Sequence, residues 1–281
     1  MSTNPRVIIT RPQGDALRWL QVFSQHGVDA RAMPLIEIRP VSDTRAIGAA
    51  WANLPAYTAL MFVSASAVDH FFAARPPAAL AMPVGGPRMW ATGPGTVGAL
   101  VRHGVPQQRI DAPDPEGGQF DSEALWEIVG AALCSGQRVL IVRGSDHDPL
   151  PAPGADEAET RQPYASAHPP GQGRDWLARQ IVLTGGQVDF VVAYWRSAPE
   201  PSVPWLEQAR GAAQDASIWL FTSAEAIGNL LALLPGQDWS RARALATHPR
   251  IAQAARNAGF GVVWTSRPAL LDVVASIKSV R

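Results

Sequence analysis

Phe62-Val-Ser-Ala-Ser-Ala-Val68 and Phe221-Thr-Ser-Ala-Glu-Ala-Ile227 are one pattern written twice in a chain of 281 residues. Each copy reads as the apolar end of a strand, a hydroxyl residue, and then small residues that open a helix. A second pair follows the first. Trp90-Ala-Thr-Gly-Pro-Gly-Thr-Val-Gly-Ala-Leu-Val-Arg-His-Gly104 lies opposite Leu245-Ala-Thr-His-Pro-Arg-Ile-Ala-Gln-Ala-Ala-Arg-Asn-Ala-Gly259. A third pair precedes both, with Val7-Ile-Ile-Thr-Arg11 opposite Val139-Leu-Ile-Val-Arg143 and His26-Gly-Val-Asp-Ala-Arg opposite Gly185-Gly-Gln-Val-Asp-Phe. Three matches in one order, each a strand followed by a helix, read as a duplicated half.

Outward from these matches, short β-branched runs alternate with amphipathic stretches, which is the pattern of a parallel-sheet α/β protein. The spacing predicts strands at Val7–Thr10, Leu60–Ser64, Met89–Thr92, Val139–Arg143, Val188–Trp195, Ile218–Thr222, Ala244–Thr247 and Val262–Thr265. It predicts helices at Ala16–His26, Ala67–Ala74, Thr96–His103, Ser122–Cys134, Asp175–Thr184, Ala224–Leu233, Arg250–Ala258 and Ala269–Lys278. Gly27, Gly104, Gly185 and Gly259 stand where helices end and are expected to take the left-handed C-cap. Ser145–Gln172, rich in Pro, Gly, Ala and charge, has no hydrophobic period and reads as a mobile surface insertion between a strand and its helix.

Bulk properties narrow the class. Hydrophobic residues make up 47% and charged residues 17%, a globular balance. The 24 basic and 24 acidic side chains cancel. No basic stripe marks a nucleic-acid partner. Cys134 is the single cysteine, so neither an intrachain disulfide nor a cysteine-based zinc site is available, and a reducing compartment fits. No apolar run approaches membrane-spanning length, and the chain opens without a signal-like apolar stretch. The expectation is a cytoplasmic protein, monomeric by default, with no membrane partner.

In parallel sheets, ligands bind where strands end and helices begin, because the free N–H groups there favour anions. Those turns are Ser64-Ala-Ser66, Gly93-Pro-Gly-Thr96, Ser223-Ala-Glu225 and His248-Pro-Arg250. Ser64, Ser223 and Thr96 are candidates to cap their helices, to bind an anion, or both. Arg11 and Arg143 end equivalent strands, each followed by an expected turn at Pro12 or Gly144, and their forked guanidinium groups suit carboxylates. Arg250 at the start of a helix is read alike. Thr92-Gly-Pro-Gly-Thr96 lacks the ending of a phosphate loop. The six histidines show no metal spacing, and neither a nucleophile elbow nor a redox cofactor is indicated, so no cofactor and no metal are expected. Met33-Pro-Leu-Ile-Glu-Ile-Arg39 and Val191-Val-Ala-Tyr-Trp-Arg196 occupy equivalent places in the repeat, and the chain is expected to cross between domains at both. Tyr194 and Arg196 would then lie at the mouth of a cleft.

Taken together, the chain resembles the uroporphyrinogen-III synthase family. The resemblance is carried by Ile9-Thr-Arg-Pro12, Pro34-Leu-Ile-Glu-Ile38, Phe62-Val-Ser64 with Ala67-Val68, and Gly93-Pro-Gly-Thr96. It continues through Asp121-Ser-Glu123, Leu140-Ile-Val-Arg-Gly144, Tyr194-Trp-Arg196, Phe221-Thr-Ser223 and His248-Pro-Arg250. The order and spacing of these motifs carry it more than any one of them does.

The resemblance implies two related α/β parallel-sheet domains joined by a two-stranded linker, with a deep interdomain cleft. One domain combines residues 1–36 and 197–281; the other is 41–190 with the insertion 145–172; the linkers are 37–40 and 191–196. The implied substrate is hydroxymethylbilane, a linear tetrapyrrole bearing many carboxylates, and the implied enzyme is a cyclising lyase that inverts the last pyrrole ring. Tyr194 matches the tyrosine proposed to assist departure of the hydroxyl. Thr96 matches a cleft threonine, and Ser64 and Ser223 match paired strand-end serines. Arg250 falls where relatives carry threonine or arginine. One departure is visible: relatives run the Arg-Gly strand end directly into Gly-Arg-x-x-Leu, which here is displaced to Gly173-Arg-Asp-Trp-Leu177. Two other classes fit the residues alone: a two-lobed small-molecule binding protein, or an enzyme for a phosphorylated ligand at the Gly93–Thr96 turn.

Overall fold

The structure, a computed structural model, describes residues 5–77, 85–114, 120–149 and 174–279. Its residues group into two units, Met1–Glu37 with Ser197–Arg281, and Ile38–Arg196. The chain opens in the first unit with β1 (Val7–Ile9), α1 (Gln13–Gln25) and β2 (Ala30–Ala32). It then builds the second through β3 (Glu37–Pro40), α2 (Arg45–Ala52), β4 (Ala59–Phe62) and α3 (Ala65–Ala73). The path continues with β5 (Arg88–Ala91), α4 (Pro94–Arg102), β6 (Ile110–Asp111) and α5 (Ser122–Val129). β7 (Arg138–Ser145), α6 (Arg174–Leu183) and β8 (Gln187–Ser197) complete that sheet. The remainder returns to the first unit: α7 (Val203–Ala212), β9 (Ile218–Phe221), α8 (Ala224–Leu233), β10 (Arg243–Ala246), α9 (Pro249–Asn257), β11 (Val262–Thr265) and α10 (Leu270–Ser279).

The first sheet has the order β11-β10-β9-β1-β2 and the second β3-β8-β7-β4-β5-β6. Strand pairs from β11 to β2, and from β8 to β6, are parallel. The inner strands β1, β4 and β9 are buried on both faces, which is why they read as continuous apolar runs. In β4, Leu60 and Phe62 pack with Ile47, Val68, Phe71 and Leu100 of α2, α3 and α4. Ala59 and Met61 point the other way, to Leu125 of α5 and Leu177 and Ile181 of α6. The first unit is layered alike. Val7, Ile9, Ile218 and Leu220 meet Ala16, Phe23, Val273 and Ile277 of α1 and α10. On the opposite face Trp219 and Phe221 meet Trp239 and Phe260 edge-on, with ring centroids 5.5 Å apart in both pairs.

The duplication is visible as register. Val7 pairs with Ile218 and Ile9 with Leu220; at the matching positions Val139 pairs with Ala59 and Ile141 with Met61. Ala246 opposite Phe221 repeats Ala91 opposite Phe62. Each sheet joins the opening of one sequence half to the middle of the other, since β1 lies beside β9 while β7 lies beside β4. The pairing corrects one alignment by a residue. Val7 faces Ala30 and Val139 faces Val188, so Gly27 matches Gly185, not Gly186. Both of these glycines have positive φ, at 67° and 79°, as expected of C-caps, and Gly104 and Gly259 do too.

Several other expectations need correction. The turn expected at Gly144 is absent, because β7 continues through Gly144 to Ser145. The insertion therefore does not begin at Ser145. Asp146 pairs with Arg196, and the Asp148 carboxylate accepts from the Ser42 backbone and hydroxyl; residues 150–172 lie outside the described residues. Residues 37–40, one linker candidate, form β3, and residues 191–196, the other, are the last part of β8, the strand beside β3. Five elements lacked a strong periodic signal: β2, β3, α2, β6 and α7.

Candidate functional site

The second unit gathers chemistry at the carboxyl end of its parallel strands. Ser64 follows β4 with extended backbone and caps α3, its Oγ accepting from the Ala67 N–H at 3.1 Å. That leaves the hydroxyl group with further bonding capacity, and it lies 3.1 Å from the hydroxyl of Tyr194. Tyr194 is buried, with 5% of its surface exposed. It reaches this point because β8 runs eleven residues, beside and past the end of β7. The β7–β8 register shifts between Arg143 and Gly144, so that Arg143 faces Val192 while Gly144 faces Tyr194. Such irregularities re-aim side chains next to sites.

Two residues that were not among the candidate site residues, His70 and Gly144, complete the surroundings of the phenol. The imidazole of His70, on α3, stacks on the Tyr194 ring at 5.8 Å between centroids and 27° between planes. Burial is the larger influence on His70 and holds its pKa below the ordinary value of 6.5, against a smaller upward pull from Asp69. Gly144 lies under the ring, and its missing side chain leaves the space the ring fills. No motif marks His70; Gly144 ends the Leu140–Gly144 motif, but its place against the ring shows only in the cross-strand register.

Arg143, one position before Gly144, is partly buried with its guanidinium 4.7 Å from the centre of the Phe190 ring. Thr96 does not cap its helix. Gly93 is the N-cap and Thr96 the third helical residue, buried in the first turn of α4 after β5. A helix entering through Pro94 sets the cap at Gly93, because proline fits the first helical position. Ser64, Tyr194, Arg143 and Thr96 thus share the carboxyl end of β8, β7, β4 and β5, with the Ser64–Tyr194 pair in direct contact.

In the first unit the equivalent positions are filled differently. Arg11 follows β1, and its guanidinium bonds Asp15 at 2.9 Å and lies 4.9 Å from the centre of Trp19. Burial pushes the Asp15 carboxyl up, but Arg11 and Arg18 together outweigh it and hold Asp15 below the usual carboxylate range. An incoming carboxylate at Arg11 therefore competes with one already present. Ser223 caps α8, accepting from the Glu225 N–H at 3.1 Å. His248 caps α9 through Nδ1, which accepts from the Arg250 N–H at 3.1 Å, and the Arg250 side chain is exposed. Arg11, Ser223 and Arg250 lie at the carboxyl ends of the neighbouring strands β1, β9 and β10.

Among the described residues no group of three His, Cys, Asp or Glu is placed to hold a metal ion. No helix among them is long and apolar enough to cross a membrane.

Comparison with known proteins adds an independent line. The model of the family described as uroporphyrinogen-III synthase HemD matches residues 18–161 and 150–272. A solved mutant uroporphyrinogen III synthase from Thermus thermophilus is 17% identical, with a TM-score of 0.52 and 98% of each chain covered. A uroporphyrinogen-III synthetase from Helicobacter pylori is 12% identical with a TM-score of 0.46, covering 99% of this chain and 100% of that one. At such identity the Thermus likeness bears on the fold, two parallel α/β sheets, and the family match bears on ancestry. Since that match spans most of the sequence, in two overlapping segments, the chain belongs to the uroporphyrinogen-III synthase family.

Proposed function

We propose that this protein converts hydroxymethylbilane to uroporphyrinogen III and water, acting as a cyclising lyase in the cytoplasm, as a monomer. The observation that carries the reading is the family match over residues 18–161 and 150–272. The Tyr194–Ser64 hydroxyl pair at 3.1 Å supports its chemistry. In this reading Tyr194 gives a proton to the departing hydroxyl, which leaves as water and yields an electrophilic azafulvene. The far end of the chain attacks through its substituted carbon to form a spiro intermediate. Cleavage and re-closure then invert the last ring. Unassisted, the substrate closes without inversion, so most of the catalytic burden is conformational.

Arg143, Thr96 and Ser64 of one unit, and Arg11, Ser223 and Arg250 of the other, are proposed to bind substrate carboxylates. Arginine forks, helix N-termini and hydroxyl groups all favour anions. Of the two rival classes, a binding protein or an enzyme for a phosphorylated ligand, neither has an observation in its favour: Gly93–Thr96 has the cap geometry of an ordinary helix start.

The test is the isomer. Supplied with hydroxymethylbilane, the protein is expected to give the type III product at a rate above spontaneous closure. Formation of type I alone, at the uncatalysed rate, refutes the reading.

A further inference from the structure

We propose that Gly144 is a positioning residue for Tyr194: the absence of a side chain at 144 lets the phenol ring lie against β7 and holds its hydroxyl at Ser64. The inference rests on the reading of Tyr194 as a reacting group and adds what fixes it in place.

Glycines are kept for two physical reasons, backbone freedom and close approach. Freedom is not the reason here. Gly144 lies within a strand, and its φ is outside the left-handed region that seven other glycines of the described residues occupy. Close approach is. A Cβ built on Gly144 would stand 2.5 Å from Cε2 and 2.9 Å from the hydroxyl oxygen of Tyr194, and closer still to Cζ. All three nearest atoms belong to that one phenol, so the phenol is the first obstacle to a side chain. Backbone pairing points the same way: Gly144 faces Tyr194 directly after the register shift in the β7–β8 ladder.

The ring has little freedom to yield. Its hydroxyl is tied to Ser64, itself fixed by the Ala67 N–H at the start of α3, and its face is stacked by His70 from the same helix. A methyl group at 144 must therefore lift the hydroxyl off Ser64. Misplacement of a reacting group by about 1 Å costs on the order of a hundredfold in rate.

Two measurements on the full chain test this. The protein has three tyrosines, Tyr57, Tyr164 and Tyr194, so labelling tyrosine Cζ with carbon-13 gives three signals, with the Tyr194 signal identified by Tyr194→Phe. Gly144→Ala is expected to move the Tyr194 signal and leave the other two in place, with no substrate needed. In type III synthesis the same variant is expected to lose about a hundredfold in kcat with KM within about twofold. Adding it to Tyr194→Phe should cost less than about twofold more. An unmoved Tyr194 signal overturns the proposal. So does a double variant whose loss is the product of the two single losses, the result for a merely structural glycine. If Gly144→Ala does not fold, Gly144→Ala with Tyr194→Ala should, and failure of that pair to fold overturns it too. The carbon-13 result stands apart from turnover, so a wild-type chain that makes no type III isomer would refute the proposed function while leaving the Gly144–Tyr194 contact separately judged.

Discussion

The second strand of the first unit stops at Ala32, after three residues, whereas the matching strand of the second unit runs eleven residues to Ser197. The cause is local. Counting from the paired positions Ala30 and Val188, Pro34 stands where the second unit has Val192. Proline has no N–H for a ladder and ends the strand. Its neighbours still bond β1 irregularly, Met33 N–H to Ile9 O at 2.9 Å and Leu35 N–H to Thr10 O at 3.2 Å. In the second unit the ladder survives, shifts register, and delivers Tyr194 onto Gly144 and Ser64. Two copies of one framework thus keep their strand register and differ at the carboxyl ends. There the arginine of one is held by Asp15, and that of the other lies over Phe190.

In the proposed reading the chemistry lies on the longer strand, and its strongest test is Tyr194→Phe. Losing a general acid typically costs 10²- to 10⁴-fold, so turnover of hydroxymethylbilane should fall by at least about a hundredfold with KM little changed. The buried ring is kept, so melting temperature should move only slightly. Unchanged turnover would remove Tyr194 from the reaction and leave the extension of β8 without a catalytic purpose.

A matched pair of substitutions sharpens the contrast. Ser64 and Ser223 are both N-caps, and replacing either by alanine should cost about 1 kcal/mol. Ser64 also holds Tyr194, so its loss should cost about a further 1 kcal/mol. Chemical denaturation of the two variants measures the difference. Equal stability losses would mean that the Tyr194 hydroxyl gains nothing from Ser64 in the folded state.

How far the sequence reached follows the same division. Apolar β-branched runs announce strands even at a sheet edge, and the strand Val262–Thr265 and the helix Ala224–Leu233 were legible to the residue. The glycine caps followed from helix chemistry. The short elements did not. β6 has two residues and β2 three, too few for any period, while α7 opens through Val203-Pro204 after a proline-rich stretch that reads as loop. At the site, Ser64, Arg143 and Tyr194 were legible because the repeat and the family resemblance point at strand ends. The turn expected at Gly144 arose from reading a glycine as backbone freedom, when it serves close approach. His70 stayed hidden because a histidine two turns along a helix looks like any other.

His70 supplies the finest distinction between the units. Matching Phe62 to Phe221 places Asn229 at its position in the first unit; Asn229 reaches the segment that follows β2, and His70 reaches the last part of β8. Asn229 donates to Leu35 O at 2.7 Å, while His70 stacks on Tyr194. Only one of them titrates. Burial lowers the His70 pKa in the folded state, so between that value and 6.5 the unfolded chain binds more protons than the native one. Stability therefore rises with pH across this window. His70's neutral form is fully accommodated above 6.5, and its contribution is lost as pH falls through the lowered native value. His70→Phe keeps a ring against Tyr194 without a proton to gain. The gap in stability between wild type and His70→Phe should shift in favour of the variant as pH falls below 6.5, whereas Asn229→Ala should show no pH-dependent gap in the same window. A His70→Phe curve parallel to wild type from neutral to acid pH would mean that the stacked imidazole is as easily protonated folded as unfolded, and the two helices would then differ in shape alone.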